Sequence, residues 1–256
     1  MFMKKSITVI AVLLVTVLGC TQRGKHKLTI AVAANMQYAI QALIDEFHKT
    51  DNTEINVALG ASGSLTQQIM QGAPFDIFIS ADENFPQKLY EEHYTLEPPK
   101  TYAQGVLVIW SAKENIHPAK DLQLLANNDI KSIAIANPKT APYGNAAQLI
   151  LKKYGLYDKV ASKLITGESI TQTSNFIAAQ AADIGFTAKA IVISDAMKNK
   201  GNWAELNTQD YPPIRQAAAL LKHSETYNAA EAKKFYDFLY SQQAKDIYEK
   251  FGYIVQ

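Results

Sequence analysis

The chain has 256 residues, and its 25 basic and 24 acidic side chains leave a formal net charge of +1. This length provides the core of two lobes of ordinary domain size. The near-neutral balance excludes the strongly basic face that nucleic-acid binding requires, so we expect no nucleic-acid partner. A single cysteine excludes an internal disulfide and a metal site built from several thiolates.

The first nineteen residues are typical of an export signal rather than of a folded body. Two lysines precede an apolar run, Ile7–Leu18, which is short for a membrane span. The run ends in Val-Leu-Gly-Cys20, which resembles the lipobox of bacterial lipoproteins. That resemblance implies a lipoprotein signal peptide over residues 1–19, acylation of Cys20 and a polar tether over residues 20–27. A plain secretory signal or an N-terminal anchor helix stays open as an alternative.

The next segment predicts a strand followed by a helix and a second strand. Leu28–Ala34 is apolar nearly throughout, as expected of a strand covered on both faces. Asn35 is a favoured N-cap residue and marks the predicted start of an amphipathic helix that extends to Phe47. Ile55–Leu59 begins the next strand. This alternation predicts a parallel α/β sheet, in which ligands bind beyond the carboxyl ends of the strands.

The same plan repeats between residues 55 and 82. The strand ends in the small-residue turn Gly60–Ser64, an amphipathic run over Leu65–Met70 follows, and Phe75–Ile79 is a further apolar strand. Backbone N–H groups at the start of that helix, together with the hydroxyls of Ser62 and Ser64, form a seat for an anion. An ordinary strand-to-helix turn with a serine N-cap is the simpler alternative.

The remaining elements predict a second lobe and a return to the first. In chain order they are a crossing at Gln104–Trp110, a strand at Ile133–Ala136, a helix at Asn145–Tyr154 preceded by Pro142, a strand at Leu164–Thr166, a helix from Ile170 to Gln180, a strand at Ala182–Thr187 that Ile191–Ser194 continues or flanks, and a return crossing at Ile214–Leu221. The C-terminal aromatic helices are expected to pack on the first lobe. Lobe I is therefore predicted to comprise residues 28–104 plus 216–256, and lobe II residues 105–215.

Four predicted turns present backbone donors at the beginning of a helix. They are Ala34-Asn35, Ser62-Gly63, Tyr143-Gly144 and Ser169-Ile170. The chain has two arginines, Arg23 in the tether and Arg215 beside a double proline, so the usual clamp of a carboxylate receptor is missing. We interpret Arg215 as structural. The pattern favours a small anion held by N–H and O–H donors, because each such bond to a charged group is strong.

Catalytic and metal chemistry fit the sequence poorly. The Gly60–Ser64 turn misses the G-x-S-x-G pattern because position 64 is serine, and the five histidines are scattered without metal-ligand spacing. Asp76 and Asp82 are either acids of a site or structural caps at the two ends of a strand. We therefore predict that the protein is not an enzyme and has no residues that ligate a metal directly.

Four segments resemble the periplasmic molybdate-binding proteins, the solute receptors of the molybdate ABC importer. They are AVAAN at 31–35, SGSLTQQI at 62–69, GAPFDIFISAD at 72–82 and FYDFLYSQQAKDIYEKFGY at 235–253. The resemblance implies a type II periplasmic-binding-protein fold, with two α/β lobes joined by two hinge crossings. It places the oxyanion ligands on Asn35, Ser62, Tyr143 and Ile170, with Tyr143 as either a backbone donor or part of the cavity wall. Ala34 joins this set of predicted ligands through the turn Ala34-Asn35. Many relatives have Tyr where this chain has Ala188, Ser where it has Asn35 and Ala where it has Tyr143.

The predicted function is capture of molybdate, and also tungstate, by a monomeric receptor in the periplasm. The receptor would be held at the membrane by an N-terminal lipid anchor, would need no cofactor, and would deliver the anion to an ABC transporter permease. A receptor for another tetrahedral oxyanion such as sulfate is the nearest alternative. An enzyme on the same scaffold is the other one, and a histidine or carboxylate within reach of Ser62 would favour it.

Overall fold

The computed structural model describes residues 27–255. The predicted signal peptide, Cys20 and all but the last residue of the predicted tether lie outside the described residues. Within them the strands are β1 (Leu28–Ala33), β2 (Ile55–Gly60), β3 (Ile77–Ile79), β4 (Lys100–Gly105), β5 (Leu107–Ser111), β6 (Ile133–Ala136), β7 (Leu164–Gly167), β8 (Ile184–Ala188), β9 (Asn202–Glu205) and β10 (Ile214–Leu220).

The helices of the same residues alternate with these strands. They are α1 (Ala39–Phe47), α2 (Ser62–Met70), α3 (Asn84–Glu91), α4 (Pro142–Lys153), α5 (Tyr157–Val160), α6 (Ile170–Ala178), α7 (Lys189–Val192), α8 (Ser224–Tyr227), α9 (Ala229–Phe238) and α10 (Gln242–Lys250), with 3₁₀ turns at Ala34–Met36, Leu122–Ala126 and Ala161–Lys163. No helix in the described part of the chain has both the length and the apolar character needed to cross a membrane.

The strands form two five-stranded sheets, one in each lobe. The order is β2-β1-β3-β10-β4 in lobe I and β7-β6-β8-β5-β9 in lobe II. In each sheet the first three strands are parallel and the last two run antiparallel to their neighbours. The central strands β1 and β6 are apolar and almost wholly buried because helices cover both faces of the sheet.

Register brings the ends of neighbouring strands to one edge of each sheet. Ala33 pairs with Gly60 in lobe I, and Ala136 pairs with Gly167 in lobe II. The turns that follow these four residues therefore begin side by side at the carboxyl edge. The two edges face each other across the boundary between the lobes, which places the predicted turns around one space.

The C-terminal helices pack on lobe I, which confirms that prediction. Phe235, Leu239 and Tyr248 are fully buried against α1, and the ring of Phe47 meets that of Phe235 edge to face with centroids 5.1 Å apart. The C-terminal tail then returns along β4, where Ile254 bridges to Gln104.

The elements predicted between the lobes differ in part from the structure. Ile191–Ser194 flanks β8 rather than continuing it, which was one of the two predicted alternatives, because α7 begins at Lys189 and ends at Val192. The predicted crossing Gln104–Trp110 contains the passage at Val106 but is otherwise the end of β4 and the start of β5. The predicted return crossing at Ile214–Leu221 was wrong, because this segment is the regular strand β10, paired on both sides. The chain passes between the sheets at Val106 and at residues 206–213. The exact division of the chain into lobes stays a prediction.

Candidate functional site

A small cavity lies between the carboxyl edges of the two sheets. The cavity and its mouth have a volume of about 200 Å³, and its lining consists of Ala34, Asn35, Gly60, Ala61, Ser62, Ala81, Ala141, Pro142, Tyr143 and Ile170. No charged side chain belongs to this lining, although all five predicted anion ligands do.

Lobe I contributes the first turn of α2 to the cavity wall. Ser62 is the first residue of this helix and is 1 % exposed. Its Oγ accepts a hydrogen bond of 3.0 Å from the backbone N–H of Ala81. Because that bond occupies a lone pair, the hydroxyl proton is left to donate elsewhere. Ser64, which the sequence grouped with Ser62, is not part of the lining.

Lobe II contributes the first turns of α4 and α6. Pro142 begins α4 at the position where a missing N–H costs nothing, and Tyr143 follows. A Cβ atom on Gly144 would lie 2.1 Å from the carbonyl oxygen of Ala136, so only glycine lets the helix begin this close to β6. Ile170 begins α6, and the side chain of Ser169 caps that helix by accepting from the N–H of Gln172.

Three residues of the cavity lining begin or follow the start of a helix and have a backbone N–H for which residues 27–255 provide no acceptor. They are Ser62, Tyr143 and Ile170. An N–H in the first turn of a helix has no carbonyl of its own helix to bond, and the helix dipole adds positive character there. The N–H of Gly63, by contrast, donates to the carbonyl of Thr140 at 2.8 Å. The N–H groups of these three lining residues therefore remain available to a ligand.

Asn35 lines the cavity, but its predicted role as an N-cap was wrong. It lies in the 3₁₀ turn Ala34–Met36, the helix begins only at Ala39, and no side chain caps it. Nδ2 of Asn35 instead donates to Oε1 of Gln216 and to Oη of Tyr253, both at 3.0 Å. Tertiary contacts thus compete successfully with local capping for this amide. Its Oδ1 is buried without a partner.

Sequence reasoning missed the residues around Asn35. Gln216 accepts from Tyr102 Oη at 2.8 Å and donates to Tyr143 Oη at 3.0 Å. Burial raises the pKa of the phenols of Tyr102, Tyr143 and Tyr253 well above their usual value, so all three stay neutral and keep their protons. No periodicity marks these residues, because β4, β10 and the C-terminal tail bring them together from distant parts of the chain.

Direct hydrogen bonds join the two lobes around the cavity. Besides Gly63 to Thr140, the hydroxyl of Thr171 lies 3.1 Å from the carbonyl oxygen of Ala34 and 3.0 Å from Oε1 of Gln37. The contact between Gln216 and Tyr143 also crosses the boundary. The structure therefore shows the lobes in a closed arrangement.

The nearby acids and the arginine have structural partners outside the cavity. Asp82 accepts from the hydroxyl of Ser80 and from the N–H of Phe85, and burial raises its pKa. Asp76 lies at the opposite end of β3, where it accepts from the N–H of Thr29. Nε of Arg215 donates to Glu83 at 2.9 Å on the surface. These contacts agree with the structural interpretation of Asp76, Asp82 and Arg215.

The site lacks the groups that an enzyme would need near Ser62. Neither a histidine nor a carboxylate belongs to the cavity lining, and the N–H of Ala81 is the group bonded to the Ser62 hydroxyl. Among residues 27–255 no three His, Cys, Asp or Glu side chains lie together in a way that could hold a metal ion. Ala188, at the end of β8, is fully buried and offers no side-chain donor.

Comparison with known proteins agrees with this geometry. The family described as bacterial extracellular solute-binding protein matches residues 28–254. A molybdate-binding protein ModA of Rhodobacter capsulatus is 39% identical over 230 residues, which cover 88% of this chain and 87% of that protein. A putative ABC transporter substrate-binding lipoprotein, YvgL, of Bacillus subtilis is 29% identical over 267 residues and covers 100% of both chains.

The solved structure of the Azotobacter vinelandii periplasmic molybdate-binding protein superposes with a TM-score of 0.84 at 34% identity. The match covers 90% of this chain and 100% of that one. This likeness confirms the predicted type II periplasmic-binding-protein fold. The chain belongs to the bacterial extracellular solute-binding proteins and, among them, to the family of the periplasmic molybdate-binding proteins.

Proposed function

We propose that this protein is the extracytoplasmic receptor of an ABC importer and captures molybdate, and also tungstate, between its two lobes. The observation that carries the proposal is the small cavity between the lobes, which neutral donors from both lobes line. The names of the relatives at 34–39% identity point to the same anion. Such a receptor binds and releases its ligand without chemical change, and we propose that it needs no cofactor.

The available donors account for useful affinity without a counter-charge. They are the N–H groups of Ser62, Tyr143 and Ile170, the hydroxyl of Ser62 and, in one of its orientations, the amide of Asn35. A hydrogen bond to a charged group contributes about 1.5–3 kcal/mol, so five contribute roughly 8–15 kcal/mol before desolvation. Micromolar affinity corresponds to about −8 kcal/mol, which this sum reaches.

A lining of donors also selects among anions. A protonated anion such as hydrogen phosphate carries an O–H of its own, which would find no carboxylate in the lining. The amide oxygen of Asn35 could accept from that O–H only while the amide nitrogen is turned away from the anion. Sulfate and molybdate are both tetrahedral dianions, so cavity size must separate them. A receptor for sulfate or a related oxyanion is the second candidate, and the same neutral lining favours it over an enzyme.

Release and delivery require the lobes to part. We propose that opening breaks the three interlobe contacts at Gly63, Thr171 and Gln216 while both sheets stay intact. The passages at Val106 and at residues 206–213 are the places where the chain bends. The permease of the importer then receives the anion from the opened receptor.

We also propose that the receptor is a monomer held at the outer face of the membrane through acylated Cys20. The apolar run before this cysteine, the lipobox-like sequence and the lipoprotein relative support an anchor. Replacing Cys20 with serine tests it, because the variant should leave the membrane fraction. A Cys20→Ser variant that stays membrane-bound would contradict lipid anchoring.

Calorimetric titration of the purified protein with molybdate, tungstate, sulfate and phosphate tests the proposed function. We expect micromolar or tighter binding of molybdate and tungstate, and at least tenfold weaker binding of the other two. If sulfate bound as tightly as molybdate, the proposed substrate would be wrong and the sulfate-receptor alternative would be favoured.

A further inference from the structure

One buried polar atom in the cavity wall has the wrong chemistry for an anion site. Oδ1 of Asn35 is the one buried side-chain nitrogen or oxygen of the described residues that lacks a hydrogen-bond partner. Asn35 is 1 % exposed and lines the cavity. An amide oxygen only accepts hydrogen bonds, so in this orientation it repels a negative ligand. The nitrogen, which would attract the ligand, is turned away.

The orientation of this amide is held by Gln216. The Gln216 side chain is fully buried on β10 and accepts from Nδ2 of Asn35 at 3.0 Å. The same oxygen accepts from Tyr102 at 2.8 Å, and the nitrogen of Gln216 donates to Tyr143 at 3.0 Å. With Tyr253, these residues form what we call the amide–phenol network.

Both amides of the network are able to turn over without losing a contact between them. After a half-turn of each, Nε2 of Gln216 donates to Oδ1 of Asn35 and the phenol of Tyr143 becomes a donor to Oε1 of Gln216. The hydroxyl of Tyr253, which donates to the backbone carbonyl of Asn35 at 3.1 Å, then shares its proton between that carbonyl and Oδ1 of Asn35. Tyr102 still donates to the carbonyl of Ser80, from which it lies 3.0 Å. A hydroxyl serves as donor or acceptor by rotating its proton, so the phenols permit either direction.

We propose that Gln216 is a positioning residue that determines which end of the Asn35 amide faces the cavity, and that the two amides turn over together when the oxyanion binds. The inference rests on the proposed function and adds a residue that does not line the cavity. Only a carboxamide suits position 216, because it donates at one end and accepts at the other. A carboxylate at position 216 would hold Asn35 with its amide oxygen towards the cavity. An apolar side chain there would leave the orientation of the Asn35 amide undetermined.

The network also couples the orientation of the Asn35 amide to closure of the lobes. Tyr143 belongs to lobe II, whereas Asn35 and Gln216 belong to lobe I. In the turned-over state Oε1 of Gln216 needs the Tyr143 proton, which is within reach when the lobes are closed. Burial of all three side chains keeps water from replacing that bond. Closure therefore permits the turned-over state, and the bound anion selects it, so that the amide nitrogen of Asn35 faces the anion in the closed complex.

A double-mutant cycle on molybdate affinity tests the proposal. The variants are Asn35→Ala, Gln216→Met and the double variant, with Gln104→Met as control because it makes the same change on the neighbouring strand β4, outside the cavity lining. We expect each single variant to bind about tenfold more weakly and the double variant to resemble Asn35→Ala within about twofold. Separate losses that multiply to about a hundredfold would overturn the proposal, since Gln216 would then act independently of Asn35.

The wild-type protein provides a second measurement that does not depend on folding of the variants. Side-chain NH₂ resonances of Asn35 and Gln216 in ¹⁵N-labelled protein should both move when molybdate is added, while that of Gln104 should not. A Gln216 resonance that stays fixed while Asn35 moves would exclude a joint turn-over. If the wild type binds sulfate instead of molybdate, the proposed substrate fails and the cycle is run with sulfate. Absence of binding to any of the four oxyanions would overturn both proposals.

Discussion

Replacing Ser62 with alanine separates two contributions of one hydroxyl group. The hydroxyl accepts from the buried N–H of Ala81 at 3.0 Å, and its proton is free to donate to an anion in the cavity. Losing a hydrogen bond to a charged ligand costs about 1.5–3 kcal/mol, or roughly a 10- to 150-fold increase in Kd. Leaving the N–H of Ala81 without an acceptor lowers the free energy of unfolding by about 1–3 kcal/mol.

Calorimetry and thermal unfolding measure these two effects separately. Ser62→Ala should weaken molybdate binding by the factor above and lower the Tm of the ligand-free protein by roughly 2–12 °C. Ser64→Ala is the matched control, because this serine lies in the same turn and does not line the cavity. Its affinity should match the wild type. Equal losses of affinity in both variants, or no loss in Ser62→Ala, would show that α2 does not present its first residue to the anion.

Three further predictions concern closure and pH. A Cβ at Gly105 would lie 2.0 Å from Oη of Tyr143 and 2.5 Å from Nε2 of Gln216. Gly105→Ala should therefore weaken molybdate binding, measured by calorimetry, by about 2–4 kcal/mol. An unchanged Kd would mean that the lobes close elsewhere. Thr171→Val removes the hydroxyl that donates to the carbonyl of Ala34. The variant should raise the Kd for molybdate about two- to tenfold with little change in Tm. A lower Tm with an unchanged Kd would contradict this prediction. Burial raises the phenol pKa of Tyr143 above 10.0, so the phenol stays protonated well past neutrality. The affinity for molybdate should therefore be constant from about pH 6 to about pH 9. A decline in affinity that begins near pH 8 would show that a group of lower pKa takes part.

Local sequence signals predicted the strands and turns around the site well. Apolar runs such as Leu28–Ala34 and Ile133–Ala136 specify buried strands, and the small residues after them specify turns into helices. Parallel pairing then aligns the turns at one edge, which follows from the α/β alternation alone. The places of Ser62, Tyr143 and Ile170 in the cavity wall were accordingly accessible from the sequence.

The setting of Asn35 was not accessible in the same way. Its partners Gln216 and Tyr253 lie 181 and 218 residues away along the chain, and no local pattern encodes such contacts. The N-cap preference of asparagine gave the wrong conformation because these distant contacts override it. The pairing of β10 with β3 and β4 is also a contact between distant parts of the chain. The sequence therefore predicted a hinge crossing where β10 carries Gln216 into the core of lobe I.

The central claim is that neutral donors from helix starts on both sides of the cleft hold a doubly negative anion. A crystal structure of the molybdate complex tests it most directly. We expect the anion oxygens to lie about 3 Å from the N–H groups of Ser62, Tyr143 and Ile170, from the Ser62 hydroxyl and from Nδ2 of Asn35. An anion bound mainly by lysine, arginine or a metal ion, or bound outside this cavity, would contradict the account.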